Sequence, residues 1–256
     1  MTSAMPTRTA VLLPGTGSDE TFVHAVFTRP LAALGIAVTA PPPPPGEAVV
    51  SGYLALLDRI ADATNGPLLV GGVSLGAHLA TAWALRNAHR CAGVLAALPA
   101  WHGPGETAPA AVAATASAEL IERHGLETAL SLATRDVAPW LAEELTRAWR
   151  RHGPGLAASL RAAAGHPAPE LSALRTLDVP VGIATCVDDP VHPSEVAGAW
   201  AGALPHSAVV ETTLAALGAD RESLGRAATL AWLRAWSRRW SRSTRSPRRN
   251  RPTRPC

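Results

Sequence analysis

A serine held between glycines, Gly72-Val73-Ser74-Leu75-Gly76, joins the apolar run Leu68-Leu69-Val70-Gly71 to a run of helical character from Leu75 to Asn87. A strand-to-helix turn of that kind strains the serine backbone, and Gly72 and Gly76 leave no Cβ where strand and helix come closest. The turn lifts the hydroxyl into the open. It also sets the Leu75 amide at a helix N-terminus, where it can donate to a developing oxyanion. The chemistry this suggests is acyl transfer with Ser74 as nucleophile. Nucleotide chemistry finds no such support: Gly15-Thr16-Gly17-Ser18-Asp19-Glu20 lacks the third glycine of a dinucleotide loop and puts acids where a pyrophosphate would sit, so no cofactor is expected. No histidine pair has metal-ligand spacing, and no metal is expected.

Positioning such a serine takes a sheet with its helices, and the chain alternates short apolar runs with stretches of helical length. Six strands are expected: Ala10–Leu13, Ile36–Thr39, Leu68–Gly71, Gly93–Ala96, Val181–Ala184 and Ala208–Glu211. Short and almost wholly apolar, they suit a mostly parallel sheet buried on both faces by helices. The interval from 102 to 180 is far longer than one crossover helix needs. Its Ala-rich pieces, Ala110–His124 and Pro139–Arg151, are separated by Gly-Pro, Gly-Leu and His-Pro breaks, so it reads as several short helices forming a cap at the ligand edge of the sheet. The five prolines Pro41–Pro45 make a stiff polyproline bridge after the second strand. Glu222–Arg239, with Leu224, Ala228, Trp232 and Trp236 in helical register, closes the fold.

From Thr9 to Trp236 the chain resembles the α/β-hydrolase family. The resemblance rests on the Gly-x-Ser-x-Gly elbow and on two further segments. Leu13-Pro14-Gly15-Thr16-Gly17-Ser18 is similar to the family's oxyanion loop and implies the Thr16 or Gly17 amide as a second donor beside Leu75. Asp188-Asp189-Pro190-Val191-His192-Pro193, after the fifth strand, is similar to the family's acid turn and implies Asp189 as the triad carboxylate. The order serine, then acid, is the family's order.

The resemblance fails at the base. In the family the histidine follows the last strand, but here that stretch reads Thr212-Thr213-Leu214-Ala215-Ala216-Leu217-Gly218-Ala219-Asp220-Arg221, and no histidine follows His206. A serine without a neighbouring base is a weak nucleophile at neutral pH. Three readings stay open. In one, His192 moves into the gap, with His102 as second choice; this makes the chain a serine hydrolase of a small ester, thioester or amide. In another, the protein is non-catalytic and binds a small ligand or a partner in the same pocket. In the third, Asp220 acts through a water or a partner.

The 256 residues, 47% of them apolar, are enough for one large core, so a single domain is expected over 1–236 with the cap at 102–180. Eight of the 23 basic residues, and no acid, lie between Ser237 and Cys256. The body therefore carries 15 basic against 20 acidic residues. The 237–256 segment, rich in Arg, Ser and Pro, reads as a disordered tail able to touch polyanions weakly. No run is long enough to span a membrane. Three scattered cysteines and the lack of a secretory leader point to a soluble cytoplasmic protein acting on a small-molecule substrate.

Overall fold

The computed structural model describes residues 7–243. Six parallel strands form one sheet in the order β2-β1-β3-β4-β5-β6. Their ranges are β1 Thr9–Leu13, β2 Ala37–Thr39, β3 Leu68–Val73, β4 Cys91–Ala97, β5 Val181–Cys186 and β6 Ser207–Thr212. All six expected strands are present, each within a few residues of the expected bounds. Strand alternation divides the apolar side chains between two cores. Leu13, Val70, Val94 and Ile183 face the core shared by α2 (Val49–Ala63), α3 (Leu75–Arg86) and α9 (Ser194–Ala203). Leu12, Leu69, Leu95 and Ala184 face the other, covered by α1 (Glu20–Ala32) and α11 (Glu222–Ser243).

Between β4 and β5 the chain makes five helices: α4 Pro109–His124, α5 Leu126–Ala133, α6 Pro139–His152, α7 Leu156–Ala164 and α8 Leu171–Leu174. Proline at the first turn starts α4 and α6, where its missing N–H costs nothing, and glycine stops both, at Gly125 and Gly153, each with positive φ. A short helix α10, Leu214–Ala219, follows β6 directly.

The final helix continues to Ser243, past the expected Arg239, so residues 237–243, expected as tail, are helical. The register that places Leu224, Ala228 and Trp232 against the sheet carries Trp236 onto Trp232, with ring centroids 6.5 Å apart. The rest of the expected tail, 244–256, lies outside the described residues. Among the described residues no helix is long and apolar enough to cross a membrane.

Candidate active site

β3 gives way to α3 at Ser74, whose φ of 53° and ψ of −113° lie where a residue with a side chain seldom rests. Two contacts hold the turn. The Ser74 amide donates to the Ala97 carbonyl of β4 at 2.9 Å, and its own carbonyl accepts the first helical bond from His78 at 3.1 Å. The flanking glycines are required by the packing, since a Cβ on either Gly72 or Gly76 would lie 2.1 Å from the Leu13 carbonyl oxygen. As the first residue of α3, Leu75 presents an amide with no acceptor inside the helix. Across the edge, a Cβ on Gly15 would lie 3.4 Å from the Ser74 Cβ, so the loop carrying Thr16 runs beside the serine.

Asp189 and His192 reach Ser74 from the loop after β5. One Asp189 oxygen accepts the amides of Val191, at 2.8 Å, and His192, at 3.2 Å; the loop curls around its own carboxylate. That curl directs the imidazole back over the acid. His192 Nδ1 lies 2.8 Å from the other Asp189 oxygen, and Nε2 lies 3.1 Å from the Ser74 hydroxyl. Burial by itself would raise the Asp189 pKa, but the hydrogen bond and charge of His192, with the two amides, outweigh it and hold the carboxyl below its usual range. An ionised Asp189 requires the proton on Nδ1, which leaves the Nε2 lone pair facing the serine.

The other expected candidates stand elsewhere. His102 is exposed beyond β4. Asp220 is also exposed, pairing with Arg226 at 2.5 Å and accepting the Glu222 amide at 2.9 Å. His206 pairs with Asp178 at 2.9 Å at the opposite end of β6. An open depression lined by His24, Arg29, Asp220 and Glu222 is a charged surface feature that includes neither Ser74 nor His192. Among the described residues no group of three or more His, Cys, Asp or Glu could hold a metal ion.

The residues that sequence reasoning leaves unassigned are those by which α6 grips the loop after β1. Arg147 binds both oxygens of the fully buried Asp19, at 2.8 and 2.9 Å, while Asp19 caps α1 through the Phe22 amide. Arg147 also pairs with Glu144, and Arg151 with Glu20. His152 Nε2 donates to the Ser18 carbonyl at 2.9 Å. The Trp149 indole lies over Gly17, whose φ of +67° suits glycine and whose Cβ would meet the indole nitrogen at 3.1 Å. A capping Asp before α1 is a signal the sequence offers; its partner on α6 is not.

The six-stranded parallel sheet with its covering helices has the α/β-hydrolase fold. No protein-family model and no curated sequence matches the chain. Solved structures do. A thermophilic esterase from Thermogutta terrifontis is 20% identical with a TM-score of 0.63, covering 94% of this chain and 91% of its own. MenH from S. aureus is 16% identical, also with a TM-score of 0.63, over 91% and 94%. The enol-lactonase from Burkholderia xenovorans LB400 is 17% identical with a TM-score of 0.58, over 77% and 79%.

Proposed function

We propose that the protein is a serine hydrolase acting on a small ester, thioester or amide. The observation that carries this reading is the continuous line Asp189–His192–Ser74, with separations of 2.8 and 3.1 Å, made without any residue of the loop after β6. Ser74 Oγ attacks the substrate carbonyl carbon as its proton passes to His192 Nε2. Asp189 orients the imidazole and stabilises the imidazolium that forms. The oxygen of the tetrahedral intermediate takes the Leu75 and Thr16 amides as donors. Collapse expels the alcohol, thiol or amine with the proton from Nε2, and a water, deprotonated by the same nitrogen, then frees the acyl group from Ser74. The helices between β4 and β5 serve as the cap, and the grip of α6 on residues 17–20 keeps the oxyanion loop beside the serine.

The esterase and the enol-lactonase that share the fold support hydrolytic chemistry at low identity, and the fold does not specify the acyl group or the leaving group. A cytoplasmic place is consistent with the two buried, unpaired cysteines Cys91 and Cys186. A fluorophosphonate should modify the wild type once, at Ser74, and leave Ser74→Ala unmodified. Modification at another residue, or none under conditions where the protein is folded, would contradict the reading.

A further inference from the structure

His78, Trp101 and Trp200 form a buried cluster beside the site that the hydrolytic mechanism does not use. His78 stands one helical turn after Ser74 and is 1% exposed. Its Nε2 accepts the Ala100 amide at 2.9 Å, with the Trp101 amide at a longer 3.5 Å. The imidazole lies edge-on to the Trp101 ring, centroids 4.6 Å apart, and 5.7 Å from the ring of Trp200. Trp200, fully buried on α9, returns a hydrogen bond from its indole nitrogen to the Trp101 carbonyl at 3.1 Å.

This cluster joins the elbow helix to the helix that carries the base loop onward. His192 is followed by Pro193 and then by the first residue of α9, so the backbone of the imidazole continues straight into the helix that Trp200 anchors. The contacts therefore close a ring: from Ser74 one turn down α3 to His78, across to Trp200, back along α9 to His192, and from its Nε2 to Ser74 Oγ. Were the base on the loop after β6, the position of α9 would not bear on it. Here a shift of α9 against α3 opens the 3.1 Å contact directly.

His78 Nδ1 and Trp101 Nε1 are buried with no hydrogen-bond partner among the described residues, as are the Tyr53 hydroxyl and the Trp232 indole nitrogen elsewhere in the core. Burial, with lesser contributions from His192 and His166, pushes the His78 pKa down to about 3, so the ring stays neutral and keeps accepting the Ala100 amide.

We infer that His78 and Trp200 are positioning residues for the hydrolysis, fixing α9 against α3 so that His192 Nε2 is held on the Ser74 hydroxyl. The inference rests on the proposed Ser74–His192 chemistry. Misplacing a reacting group by about 1 Å can cost about a hundredfold. The test is p-nitrophenyl ester hydrolysis by Trp200→Phe, His78→Leu and His78→Gln, with kcat expressed per site titrated by fluorophosphonate so that any unfolded fraction drops out. Trp200→Phe removes the indole N–H together with part of the ring, and His78→Gln keeps an acceptor for the Ala100 amide. The expected result is kcat lower by about 10- to 100-fold with KM little changed in Trp200→Phe and His78→Leu, and near wild type in His78→Gln. If these variants lose thermal stability yet keep kcat per titrated site, the cluster is only structural and the inference is overturned. A wild type that titrates no site at Ser74 overturns the hydrolase reading itself, and the inference with it.

Discussion

Two loops leave the carboxyl edge of the sheet side by side, after β5 and after β6, and they are built for different ends. The first curls around the carboxylate of Asp189 and turns an imidazole inward to Ser74. The second forms no such turn. Thr213 caps α10 through the Ala216 amide at 3.0 Å, so the chain enters a helix as soon as it leaves the strand, and its first acid, Asp220, is spent on Arg226 and the start of α11. The two are tied at their bases, where Asp188 accepts the Leu214 amide at 2.7 Å and the Val187 amide donates to the Thr212 carbonyl at 3.0 Å. Asp189 and His192 thus come from one turn and do not have to be brought together by the packing of two elements. The remaining demand is that this turn be held against the elbow.

Substitutions in and around the two loops should differ widely in effect. Asp189→Asn keeps an oxygen for the Val191 and His192 amides but loses the charge that fixes the imidazole tautomer, and it should lower kcat by about 10³- to 10⁴-fold. A loss below tenfold would show that the first loop does not depend on its acid. Arg147→Ala should act on both stability and rate, because it strands the buried Asp19 and frees the loop carrying Thr16. With Arg147 itself partly exposed, the expected cost in urea unfolding is about 1–3 kcal/mol. Asp188→Ala, which cuts the tie between the loops, should cost about 1 kcal/mol and leave kcat within about threefold. Thr213→Ala removes only a helix cap in the second loop, so it should cost about 1 kcal/mol with no change in kcat. A hundredfold loss of rate in this last variant would mean that the second loop takes part in the chemistry.

Acid should reveal the same division. Asp19 and Asp189 both have folded-state pKa values held below the ordinary 3.8, Asp19 because Arg147 and the cap amides outweigh its burial. A group with a depressed folded pKa adds stability above its unfolded pKa and loses it as pH falls through the folded value. Unfolding midpoints in urea should therefore fall below about pH 4, and more steeply in wild type than in Arg147→Ala, whose Asp19 has already lost its charged partner.

The strands and the elbow were open to sequence reading because each is a local pattern: a short apolar run, or glycines around a serine between strand and helix. Asp189 could be read only through likeness to a known turn. His192 could be proposed from its nearness to Asp189, but Pro190 and Pro193 left its direction undetermined. The Asp189 carboxylate decides it by accepting the backbone amides of Val191 and His192. The grip of Arg147 on Asp19 spans 128 residues, and His78 meets Trp200 only once α9 has docked on α3. Contacts of that kind are set by the packed fold, and no short stretch of sequence displays them.

The proposed base for Ser74 comes from the loop after β5 and not from the loop after β6. Rates of p-nitrophenyl ester hydrolysis by His192→Ala and Asp220→Asn, measured beside wild type and Ser74→Ala, test it most directly. His192→Ala is expected to fall by about 10⁴- to 10⁶-fold, close to the Ser74→Ala background, while Asp220→Asn keeps wild-type activity. A His192→Ala enzyme that retains full activity, or an Asp220→Asn enzyme that loses it, would contradict the account.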